Sequence, residues 1–146
     1  MKLPFLSFTL VLGVVLAVHL AMNSLVGSTL KNPRVSNAVF WCIGALAALA
    51  ISATAWRPGT LAALQRVHPL LFLAGALGAS LVFGIIWLIP QVGARAVFVA
   101  LIAGQVLGGM VLSHFGWLGS PVQKVSLVNG FGALVLIAGV LLATYS

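Results

Sequence analysis

The stretch Gly93–Trp117, GARAVFVALIAGQVLGGMVLSHFGW, decides the fold. An α-helix rises about 1.5 Å per residue, so roughly 20 apolar residues cross the ~30 Å hydrocarbon core of a bilayer. This stretch is apolar for longer than that. It holds no acid, and its one strongly basic residue, Arg95, stands at one end. Near its middle is an amide, Gln105, between Gly104 and the Gly108-Gly109 pair. On a helix, Ala96, Ala100, Gly104 and Gly108 share one face at four-residue spacing. Such a ladder of small residues lets a second transmembrane helix approach closely. The stretch reads as a spanning helix packed in a bundle, with one polar group at mid-depth.

The rest of the chain agrees. Of 146 residues, 62% are hydrophobic and 5% charged, with seven Lys and Arg and no Asp or Glu. A soluble surface carries charges of both signs, so the class is all-α integral membrane protein. The cations are scattered singly at the ends of apolar runs, where they anchor helices. Nucleic-acid binding needs a clustered basic face and is excluded. Cys42 stands alone, so neither a disulfide framework nor a metal quartet is expected, and no cofactor. Lys2 before an apolar run resembles the start of a signal peptide. The run continues to about Val26 without a small-x-small cleavage site, so it reads as a retained span.

Working outward gives one transmembrane domain over residues 1–146, with five helices at about 4–26, 35–55, 70–89, 93–115 and 125–144. In the first, Gly13, Ala17 and Ala21 form a small face, and His19 and Asn23 lie one turn apart. Pro33 breaks the connector Ser28–Arg34. The second span carries Gly44, Ala48 and Ser52 in register, with Trp41 and Trp56 toward its ends as interfacial aromatics. The connector Arg57–Pro69 holds a segment, Thr60–Val67, suited to a short interfacial helix. The third span repeats the ladder at Ala76, Ser80 and Gly84, and Pro90 is expected to end it. A connector as short as Pro90–Gly93 implies a tight antiparallel hairpin of the third and fourth spans. Leu118–Lys124, with Pro121, leads to a last span with Asn129 near its start and Tyr145 at the far interface. Gly44, Gly84, Gly104 and Gly108 are the expected helix-packing positions. Five spans put the termini on opposite sides.

Orientation is weakly encoded. Lys2, Arg57, Arg66 and Lys124 fall on one side, and Lys31, Arg34 and Arg95 on the other. Positive charge on the cytoplasmic side sets topology, and four against three gives little bias. A chain without preference inserts both ways, and two opposed copies form an inverted pair of the kind transporters build from repeats.

Six residues are candidates for contact with a solute. His19 and Asn23 are polar inside a span, where such groups line a cavity or join helices. His19 is also the candidate proton switch, because histidine is the side chain that titrates near neutral pH. Gln105 carries the same two readings. Arg95 either snorkels from a helix end or, facing a cavity, favours anionic solutes. Trp41 and Trp87 either anchor at the interface or stack on a ligand. Enzymatic chemistry is not expected. Without a carboxylate nothing orients a histidine for a serine nucleophile, and neither Ser24 nor Ser113 sits in a nucleophile elbow.

Gly104-Gln105, the run His114-Phe115-Gly116-Trp117-Leu118-Gly119 and the glycine-rich last helix resemble the five-span, YdcZ-like branch of the drug/metabolite transporter superfamily. Asn23, Pro33, Phe40 and Gly44 fit its pattern along the first two spans. His19 stands where the family pattern has Gln, and Ser113 where it has an acid. The second departure removes a carboxylate from any coupling scheme. The resemblance implies a bacterial inner (cytoplasmic) membrane protein. It implies a protomer that pairs as an antiparallel homodimer, or with a paralogous protomer, into a ten-helix inverted-repeat transporter. Alternating access would then move a small-molecule or lipid-like substrate. With no acids to balance a cation, neutral, anionic or amphipathic solutes are favoured. The reading from a different class is a non-transporting membrane scaffold or accessory subunit.

Overall fold

The computed structural model describes residues 3–145. Lys2, counted in the charge balance, lies outside the described residues, and so does the side chain of Tyr145. Among the described residues every regular element is helical: α1 (Leu3–Thr29), α2 (Pro33–Ala55), α3 (Thr60–Leu64), α4 (Leu73–Val92), α5 (Ala94–Phe115) and α6 (Leu127–Tyr145). Short 3-10 turns at Pro69–Phe72 and Trp117–Gly119 precede α4 and follow α5. Among the described residues five segments are long and apolar enough to cross a membrane: Leu3–Thr29, Pro33–Ala55, Pro69–Val92, Ala94–Phe115 and Leu127–Thr144. Their leucines, isoleucines and valines stand mostly exposed. In water that would be untenable, but in lipid a helix satisfies its own backbone polar groups and exposes apolar side chains without penalty.

The chain forms two compact units, residues 1–91 and 92–146. In the first, α1 passes into α2 through a three-residue turn. Lys31 adopts the left-handed conformation (φ 52°), its N–H donating to Ser28 O and that of Asn32 to Gly27 O. This is a Schellman ending, with lysine where glycine is usual. Asn32 then caps α2, its Oδ1 accepting from Val35 N at 3.3 Å, and Pro33 occupies the first turn. Proline suits that position because its missing N–H would have no helical partner there. The second helix therefore begins at the proline expected to break the connector. Contacts step down α2 as they step back up α1, so the two helices run antiparallel: Phe40 on His19, Ser36 on Asn23, Pro33 beside Gly27.

Pro90 does not end its helix. It sits in the last turn of α4, which runs to Val92. An internal proline withdraws the N–H that would bond the carbonyl four residues earlier, here that of Ile86. Ser24 of α1 supplies the substitute, its hydroxyl donating to Ile86 O at 3.1 Å in a buried setting. Gln91 Nε2 donates to Trp87 O one residue on, at 2.8 Å. The carbonyl that the proline leaves without its helical donor is thus re-satisfied by a side chain of another helix, as a proline inside a membrane helix requires.

In the second unit α5 packs on α6. Gly116 ends α5 in the left-handed conformation (φ 68°), and the connector folds back over the helix end. Gln123 N–H reaches Ser113 O at 2.8 Å and Val125 N–H reaches His114 Nδ1 at 3.1 Å. Ser126 and Asn129 start α6 as a reciprocal capping pair: Asn129 N–H to Ser126 Oγ, Ser126 N–H to Asn129 Oδ1.

Candidate functional site

The buried face of α1 is Leu20, Asn23, Ser24 and Gly27, a stripe at helical spacing. Two of its four members are polar. Asn23 is 5% exposed and Ser24 3%. In a unit this exposed to lipid, burial is the exception: beside Leu20, Ile85 and Ile86 it falls on Asn23, Ser24, Ser36 and Gly27. Small residues let helices close, and polar groups then bond across the gap. Gly27 makes the closest approach, since a Cβ there would lie 3.3 Å from Pro33 Cα.

Ser36 of α2, 1% exposed, faces Asn23. Its Oγ lies 2.6 Å from Asn23 Oδ1 and 2.8 Å from Asn23 O. A hydroxyl has one proton to give, so the two acceptors share it. Asn23 Nδ2 is buried with no hydrogen-bond partner. The next residue, Asn37, turns toward α4 and donates from Nδ2 to Ala79 O at 3.2 Å. Because the atom facing a carbonyl must be the donor, the other end of this amide is the acceptor, and that Oδ1 is also without a partner. Two asparagines, on adjoining helices, each use half of an amide and leave the other half buried. Leaving such a group unmet costs about 1–3 kcal/mol.

Two clefts of about 280 Å³ each open beside this cluster. One lies between α2 and α4, lined by Arg34, Asn37, Ala79, Ser80 and Phe83. The other lies at the α1–α2 turn and the end of α4, where Lys31, Pro33, Trp87, Pro90 and Gln91 form walls over Gly27 and Ile86. Each holds one cation, and the sequence contains no side-chain acid to pair with it.

The expected site residues distribute unevenly. His19 is half-buried and stacked on Phe40, centroids 5.2 Å apart, one turn above Asn23. Trp41 meets Phe40 edge-on and lies against α4, where a Cβ on Gly78 would be 3.5 Å from its ring. Trp87 is half-exposed in the turn cleft. Arg95 is exposed in the first turn of α5, and Gln105 is exposed at its middle, both in the second unit. Gly44, Gly84, Gly104 and Gly108 have no atom within 4 Å of an added Cβ, so their faces are open. Ser24, Ser36, Asn37, Gly27 and Gly78 take part in this packing and were not among the expected site residues. The signal for two of them was present: Ser24 and Gly27 fall with Leu20 and Asn23 on one helical face.

Comparison with known proteins adds one finding. Residues 4–142 match the model of a family described as "Putative inner membrane exporter, YdcZ". No curated protein and no solved structure matches the chain.

Proposed function

Since the chain belongs to the YdcZ inner membrane exporter family and is a multi-pass membrane protein, we propose that it is the protomer of a small-solute transporter working by alternating access as an antiparallel dimer. The observation that carries this reading is the pair of half-used amides, Asn23 and Asn37, buried where three spans meet and flanked by cationic clefts. In a bundle that only needs gluing, buried polar atoms are as a rule paired. A transporter needs such atoms, because a solute that has shed its water must find hydrogen bonds inside. Arg34 and Lys31 beside them, with no acid in the sequence, favour anionic, neutral or amphipathic solutes over cations. The carboxylate that trades protons for a cation in many exporters is missing, so coupling runs through His19 or not at all. The open faces at Gly44, Gly104 and Gly108 suit a second copy, which small residues admit closely.

Flux measured in proteoliposomes across a panel of neutral, anionic and cationic solutes tests the transport reading. Saturable movement of an anionic or neutral solute is expected, and permeability equal to protein-free vesicles for every solute would refute it. A reporter fused to the C-terminus tests the pairing. It is expected on both sides of the membrane, and a single location would rule out an antiparallel homodimer.

A further inference from the structure

The pocket between the end of α5 and the start of α6 plays no part in the reading above. It measures about 260 Å³ and is lined by Gly109, Met110, Ser113, Gln123, Lys124 and Asn129, together with Val125. Its cation is Lys124, an exposed loop lysine. The backbone is fixed on both sides of it: Gln123 N–H donates to Ser113 O at 2.8 Å, and Val125 N–H donates to His114 Nδ1 at 3.1 Å. The same loop is tied once more where the Ser113 and Ser120 hydroxyls meet at 3.1 Å. It turns at Gly116, where φ is +68° and a Cβ would sit 2.6 Å from Val122 Cγ2. These bonds fix the connector backbone on either side of Lys124 at the pocket.

No Asp or Glu exists in the sequence to neutralise it. We propose that the pocket is a binding site for a phosphate group, with the Lys124 ammonium supplying the charge and the Gln123 side-chain amide a hydrogen bond. The pocket lies where α5 ends at Phe115 and α6 begins at Leu127, the depth of lipid headgroups for two spanning helices. Phe115 and Trp117, stacked at 5.0 Å and both more than half exposed, stand in this connector as interfacial aromatics do. A phosphate at that depth comes either from an anionic phospholipid or from a soluble phosphate ester, and both present the same oxygens to the lysine.

The test uses the full chain in neutral detergent. Binding of short-chain phosphatidylglycerol and of glycerol 3-phosphate is measured by tryptophan fluorescence, with short-chain phosphatidylcholine as the zwitterionic control. Lys124→Gln is expected to weaken phosphatidylglycerol binding about tenfold or more, the worth of one charge-assisted hydrogen bond, while Lys124→Arg retains it. Arg66→Gln, which removes a cation from another connector, is expected to change nothing. Binding of phosphatidylglycerol alone assigns the site to a lipid headgroup, and equal binding of glycerol 3-phosphate assigns it to a soluble ester. Undiminished binding by Lys124→Gln, with its helical signal intact, would overturn the proposal, as would an equal loss in Arg66→Gln. Neither result depends on whether any solute is transported.

Discussion

Two helix stripes, one mixed and one built of small residues alone, meet opposite fates. On α1, Leu20, Asn23, Ser24 and Gly27 are buried, and their polar members bond to α2 and α4. On α5, Gly104 and Gly108 have no atom within 4 Å of an added Cβ, and Ala100 is exposed. The α5 ladder is the more regular pattern, yet it is the open one. Small residues permit close approach without driving it, because lipid is as apolar as any leucine. What closes the α1 face is polar need. Asn23 seeks Ser36, and the carbonyl that Pro90 leaves bare seeks Ser24. The open ladder on α5 awaits another surface, and on the proposed reading that surface is a second protomer.

The comparison breaks most readily at Gly27. Gly27→Leu forces a side chain into Pro33 and is expected to lower protomer stability by about 2–3 kcal/mol, read by denaturant titration in detergent micelles. Stability equal to wild type would mean the α1–α2 approach is looser than the 3.3 Å geometry states. A double-mutant cycle sharpens the proline argument. Ser24→Ala is expected to cost about 1–2 kcal/mol, and much less in a Pro90→Ala background, where residue 90 regains the N–H that bonds Ile86 O. Equal costs in both backgrounds would separate Ser24 from Pro90. Asn23→Ala is expected to cost about 1 kcal/mol, the usual worth of an interhelical hydrogen bond in a membrane. The smallest effect belongs to the open stripe. Gly108→Leu is expected to leave protomer stability unchanged while abolishing crosslinking between copies. A destabilised protomer, or crosslinking at the wild-type level, would close the case for that face as an interface.

Much of the architecture is readable from residues because membrane helices follow from length and apolarity, which are local properties. Among the described residues the structure has five helices long and apolar enough to cross a membrane. The ends are less readable, because they depend on partners distant in sequence. Pro90 looks like a terminator until Ser24, 62 positions away, supplies the missing donor. Pro33 looks like a breaker until Asn32 caps the helix it begins. The candidate site shows the same division. His19 and Asn23 announce themselves as polar groups in an apolar run. Ser36 and Asn37 do not, since a serine and an asparagine near a helix start read as ordinary connector chemistry. Only the antiparallel register of α1 and α2 turns Ser36 toward Asn23. The His114-Phe115-Gly116-Trp117 run, carried by the family resemblance, turns out to organise a helix end, with His114 accepting from Val125.

The central claim is that the buried amides of α1 and α2 serve a passing solute as well as the fold. Asn37 tests it best, because its side chain makes one 3.2 Å bond to α4 and lines the Arg34 cleft. The measurement is solute flux in proteoliposomes holding equal amounts of folded wild-type and Asn37→Ala protein. The account predicts that flux of the transported solute falls about tenfold in the variant, with its melting temperature little changed. Flux at the wild-type level in Asn37→Ala would contradict it.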